Sequence, residues 1–202
     1  MFAAMPPITR SLIIACVAVF GLEFLLGNAV VINFALWPFG MSAGPLPGFM
    51  PWQVVTYSFL HGNLTHLLFN MFALYMFGGE LERFLGQRRY LNLYFTSVVT
   101  AALVQLALPF VLATHPAPVL GASGGVFGLL LAYAIYFPRR TVVLLIPPIP
   151  LPARVFVFLY GALELYLGVT GTQEGVAHFA HLGGMLGAWL LIRHWRGPRR
   201  YG

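Results

Sequence analysis

The sequence predicts an all-α polytopic membrane protein, a single six-helix bundle over residues 1–202, and three observations carry that prediction. Of the 202 residues, 59% are hydrophobic and 8% charged, with a mean hydropathy of +0.84, far outside the soluble globular range. Several apolar runs reach or approach the roughly 20 residues with which an α-helix crosses about 30 Å of hydrocarbon. All eleven Lys-or-Arg positions are arginine, and they fall in short clusters between those runs.

The first predicted span, 11–32, follows Arg10 in the charge-then-apolar order of a secretory signal. Its apolar stretch is long and lacks a small-x-small cleavage site, so it stays as a span. The second, 54–77, is followed by Arg83, Arg88 and Arg89; the third, 90–113, is uncharged; the fourth, 119–137, runs into Arg139 and Arg140. The fifth, 153–169, has a proline-rich entry, "LLIPPIPLPAR", but deleting it would throw the last four arginines to the opposite face. The sixth, 175–192, leads into Arg193, Arg196, Arg199 and Arg200. Helix is expected throughout, because lipid cannot satisfy free backbone groups and the runs are too long and non-alternating for barrel strands.

With six spans every arginine lies on one side, which the positive-inside rule makes cytoplasmic, with both termini inside. The net charge of +6 is thus a topology signal and not a nucleic-acid surface. The uncharged connection 33–53, rich in Gly, Pro and aromatics, lies outside and rests partly in the interface. Cys16 is the lone cysteine, which excludes an internal disulfide or a Cys-rich metal site.

Polar groups within a membrane are costly and mark candidate function. They are Ser123, His61, His66, Asn70, His178, His181, Glu23, Glu82 and Glu164. At about 1.5 Å of rise per residue above the flanking arginines, Ser123 stands about 24 Å up, His181 about 18 Å, Asn70 about 20 Å and His66 about 26 Å. Three spans therefore deliver a hydroxyl, two imidazoles and an amide to one layer in the outer half of the bilayer.

A serine attacks only when a base takes its proton, and histidine is the usual base. His181 is the best-placed one. The chain has no aspartate, so a Ser-His-Asp triad is excluded and a two-residue Ser-His arrangement is favoured; Glu164 is a less favoured orienting group. Gly121, Gly124 or Gly125, and Gly128 on one span face Gly183, Gly184, Gly187 and Ala188 on another in the small-xxx-small pattern of close packing. His66 and Asn70, at i and i+4, share a helix face from which both can donate to an oxyanion.

Simpler readings compete. A lone intramembrane serine commonly bonds the carbonyl one turn back, and small-residue motifs commonly serve packing alone. His66 and Asn70 equally suit interhelical hydrogen bonding. His178 and His181 suit a metal or haem pair, against which stand the missing aspartate, the lone cysteine and the lack of His-Glu-x-x-His. A client-binding protein without catalysis and a histidine-based metal carrier are the competing function classes.

Three segments, "HGNLTHLLFNMFALYMFGGELERFLG", "GASGGVFG" and "AHLGGMLGA", lie in order on spans two, four and six. They resemble the signatures of the rhomboid intramembrane serine proteases, in the six-helix bacterial form. The resemblance implies Ser123 as nucleophile and His181 as general base and later acid. It implies Asn70, His66 and the Ser123 backbone amide as oxyanion donors, supported by Gly121, Gly124, Phe127 and Gly184. It also implies an endopeptidase of a bacterial inner membrane, without metal or cofactor. Its partners would be the lipid bilayer and single-pass transmembrane substrates, cut within or near the outer end of their membrane segment.

The same resemblance makes the connection after span one a membrane-embedded lateral loop, and the fourth helix a short one rising from the floor of a wet cavity. Departures from the family pattern are Trp52-Gln53 where many members have Trp-Arg, Phe127 where many have a tyrosine stacked on the histidine, and Ala188 in place of a second glycine. Glu82 matches a family glutamate for which a structural role is expected.

Overall fold

The computed structural model describes residues 5–39, 48–111, 117–144, 147–171 and 177–197. Residues 40–47 of the outer connection, 112–113 and 175–176 of the expected third and sixth spans, Arg199 and Arg200 lie outside the described residues.

Helix α1 (Pro7–Leu26) opens on a proline, whose missing N–H is harmless in a first turn. The free amides of Ile8 and Thr9 donate to the Glu82 carboxylate at 3.0 and 2.7 Å, and Thr9 Oγ1 donates at 2.8 Å. Glu82 thus caps α1 from another helix, the structural role expected of it, and its charge lies at the positive end of the α1 dipole. The expected span 11–32 is in fact two helices: α1 ends at Gly27, φ 61°, a conformation glycine tolerates, and α2 (Asn28–Phe34) follows it.

The expected span 54–77 requires correction. A short α3 (Gln53–Thr56) and a 3₁₀ turn (Tyr57–Phe59) come first, and the long helix starts only at α4 (Leu64–Ala73). The cause is Asn63, whose side-chain oxygen accepts the His66 N–H at 2.8 Å as N-cap. The helix then runs through a π turn (Leu74–Gly78) into α5 (Gly79–Leu85), ending at Gly86, φ 78°. Its polar last turns stay helical because their charges are used: Glu82 on α1, and Glu80 accepting from Tyr133 Oη at 2.7 Å and pairing with Arg140 at 3.2 Å.

Next come α6 (Gln87–Val111) and α7 (Ser123–Tyr136), with a Leu36–Val119 bridge and a turn at Ala122 ahead of α7. Strands β1 (Thr141–Val143) and β2 (Pro150–Pro152) form a small antiparallel hairpin, with Val142 opposite Leu151, that an all-helical expectation did not include. Helices α8 (Ala153–Thr170) and α9 (His178–Arg196) complete the chain.

Helices α6, α7 and α9 form the packed centre. Small residues set their spacing: a Cβ on Gly184 would overlap the Gly124 carbonyl oxygen, and one on Gly183 would come 2.8 Å from Val104 Cβ. Only α1, α6 and α8 are each long and apolar enough to cross a bilayer alone, among the described residues. The α4–α5 run and α9 carry polar groups, and α7 has 14 residues. Outward-facing Phe24, Leu25, Phe69, Phe158 and Tyr166 are exposed, which hydrocarbon favours and water does not. The chain is therefore an integral membrane protein.

Arginine contacts collect at one end of the bundle. Arg140 reaches Glu80 on α5, Arg196 lies 5.5 Å over Tyr136 at the end of α7, and Arg89 at the start of α6 lies 5.9 Å over Trp195 on α9.

Candidate active site

The approach to Ser123 is held by backbone bonds. Leu36 and Val119 exchange N–H···O bonds of 2.9 Å, and the Gly121 N–H donates to the Tyr57 carbonyl at 2.9 Å. Tyr57 is itself pinned, its Oη donating to the Val98 carbonyl at 2.8 Å. Gly121 adopts φ 128°, where a side chain is strained, and a Cβ there would lie 2.7 Å from His66 Cε1. The His66 ring thus rests directly on the Gly121 backbone.

Ser123 is the first residue of α7. The first intrahelical bond runs from Val126 N–H to the Ala122 carbonyl at 3.0 Å, so the amides of Ser123, Gly124 and Gly125 have no carbonyl a turn before them. The positive end of the helix dipole and these free donors sit beside the Ser123 hydroxyl.

His181 comes from the first turn of α9, and its Nε2 lies 2.9 Å from Ser123 Oγ. Its ring stacks on Phe127 at 4.2 Å with the planes 7° apart, so the phenylalanine keeps the stacking and contributes no hydroxyl. Its Nδ1 lies 2.8 Å from Glu164 Oε2, and the same oxygen lies 2.7 Å from His178 Nδ1. An ionised carboxylate only accepts, so both Nδ1 atoms donate, and His181 Nε2 is left with a lone pair for the Ser123 hydroxyl proton.

Sequence reasoning favoured an isolated Ser-His pair; the structure adds Glu164, on α8, to that pair. The helix number of Glu164 was legible, but not which way it faces. It is buried on a helix whose residues are mostly exposed, and no aspartate or basic residue nearby advertises the contact. The available signal was its cost, since it is the one carboxylate of that span.

The other predicted residues are distributed unevenly. His66 is half-buried and meets His61 edge-on at 5.2 Å. Asn70 is buried one turn along α4, its Nδ2 donating to the His66 carbonyl at 3.1 Å with a second hydrogen in reserve. Glu23 accepts the His61 N–H at 3.2 Å and, like Glu82, serves the backbone away from Ser123. Gln53 is fully buried: its Oε1 accepts from the Trp37 and Met50 amides at 3.2 and 3.1 Å. It therefore anchors the outer connection through an acceptor that arginine lacks.

Glu164, His178 and His181 offer ligand atoms within 4.8 Å of one another, the one such group among the described residues. The hydrogen bonds of both Nδ1 atoms to Glu164 account for the cluster without a cation.

The chain matches the family model of the rhomboid domain over residues 48–195. It is similar to rhomboid protease GlpG of Yersinia pestis (strain Pestoides F), with 32% identity over 93 residues, covering 46% of this chain and 32% of that protein. It is also similar to the mitochondrial rhomboid protein 1 of Saccharomyces cerevisiae, with 32% identity over 135 residues, covering 66% of this chain and 39% of that protein. The chain spans well under half the length of these curated relatives.

Proposed function

The chain belongs to the rhomboid family, and from that premise we propose that it is an intramembrane serine endopeptidase whose nucleophile is Ser123 and whose base is His181. The observation that carries the reading is the 2.9 Å contact between Ser123 Oγ and His181 Nε2 at the amino end of α7.

In acylation, the Ser123 Oγ–H proton passes to His181 Nε2 while Oγ bonds to the scissile carbonyl carbon and the carbonyl electron pair moves onto oxygen. The resulting oxyanion is met by the Ser123 amide, by His66 and by the second amide hydrogen of Asn70. Collapse breaks the C–N bond, and the leaving amine takes the proton from Nε2. Water then gives a proton to Nε2 and attacks the ester; collapse releases the carboxylic acid and returns the proton to Ser123 Oγ.

The substrates of this reading are single-pass transmembrane proteins cut within or near the outer end of their membrane segment. Residues that weaken helix near the bond and a small residue before it would help the segment unwind into the site. The arginine end is cytoplasmic, both termini are inside, and the membrane is a bacterial inner membrane. Residues 1–202 act as one domain.

The test is cleavage of a model transmembrane substrate by purified protein in detergent. Ser123→Ala and His181→Ala are expected to be inactive, and a metal chelator without effect. Cleavage that survives Ser123→Ala refutes the reading, and activity lost to the chelator favours a metal centre instead.

A further inference from the structure

We propose that Glu164 is a positioning residue for the Ser123–His181 pair, and that His178 is the clamp that holds its carboxylate in place. This inference rests on the serine-protease reading above. Glu164 Oε2 accepts from His181 Nδ1 at 2.8 Å and from His178 Nδ1 at 2.7 Å, and Glu164, His178 and His181 are all buried.

Three features separate this arrangement from a merely structural hydrogen bond. The acceptor is aimed at the nitrogen opposite the one that faces Ser123, so it selects the tautomer in which Nε2 can take the hydroxyl proton. It is in direct hydrogen-bond contact with the ring on which positive charge develops when that proton arrives, so water screens its charge little. His178 donates its Nδ1–H to Glu164, and its Nε2 is buried without a partner among the described residues. A histidine buried for packing alone has no need to spend its Nδ1–H on a carboxylate of another helix.

The contact also ties two helices together. Glu164 comes from α8 and both histidines from α9, one turn apart at i and i+3, so the oxygen bridges a stripe of α9. Phe127 closes the ring's face at 4.2 Å, leaving His181 little freedom except about the axis that the Glu164 bond fixes.

The experiment uses the full chain and a model transmembrane substrate. It measures kcat, KM, thermal unfolding and the rate at which Ser123 is labelled by a fluorophosphonate. Glu164→Leu is expected to lower kcat and labelling by about 10²-fold with KM unchanged, the scale of misplacing a reacting group by about 1 Å. Glu164→Gln, which keeps the shape and an acceptor oxygen but not the charge, is expected to lose less. His178→Asn, whose amide N–H can replace Nδ1–H, is expected to keep most of the rate that His178→Leu loses.

Wild-type kcat and labelling in Glu164→Leu overturn the inference, as does a loss of rate that only follows a lowered melting temperature. With Ser123→Ala inactive, that outcome removes the role of Glu164 alone; active Ser123→Ala removes the underlying reading instead.

Discussion

Gly184→Ala is the most direct probe of how helix spacing creates the site. The new Cβ would lie 2.8 Å from the Gly124 carbonyl carbon and closer still to its oxygen. Backbone cannot rotate aside, and optimal non-bonded contacts lie near 3.5–4.0 Å, so α9 must withdraw from α7 by about 1 Å. Gly124 follows Ser123 and Gly184 lies one turn after His181, so the withdrawal falls on the 2.9 Å Ser123–His181 contact. Overpacking of this kind costs about 1–3 kcal/mol of stability, and a displacement of about 1 Å about 10²-fold in rate. The assay is kcat on a transmembrane substrate beside thermal unfolding, with Gly21→Ala as control, since nothing lies within 4 Å of a Cβ there. Gly184→Ala with the control's kcat would refute the claim that close packing of α7 and α9 builds the site.

Further perturbations address separate contacts. Phe127→Ala removes the ring stacked on His181; at about 0.5–1.5 kcal/mol for such a pair, kcat is expected to fall about two- to tenfold, while Phe127→Tyr retains it. Gln53→Arg, although it restores a common family residue, strips the acceptor from the Trp37 and Met50 amides; unfolding measurements should show a loss of about 1–3 kcal/mol, and Gln53→Glu a smaller one. Glu82→Gln turns a donor toward the α1 amides and is expected to destabilise by about 1–3 kcal/mol in the same assay; unchanged stability would mean that the α1 cap is dispensable.

Much of the architecture was legible because the rules behind it are local. Lipid forces backbone groups to pair within a helix and excludes arginine from the hydrocarbon, so runs and charges alone predict an all-α membrane bundle with its arginines at one end. Boundaries were not legible from hydropathy, because caps set them. Asn63 and Gly27 each broke a run that hydropathy had joined, and the charged Glu80–Arg83 stretch stayed helical because α1 and α7 supplied its partners.

The candidate site divides the same way. Helix rise predicts serine, histidines and asparagine in one layer, because depth along a helix is a property of one segment, and Ser123, His181 and His66 do meet around Gly121. Rotation about the helix axis is not, since it depends on which neighbour each face meets. The orientation of Glu164 toward His178 and His181, the seat of His66 on Gly121 and the burial of Gln53 beneath the outer connection were therefore decided only by the tertiary packing.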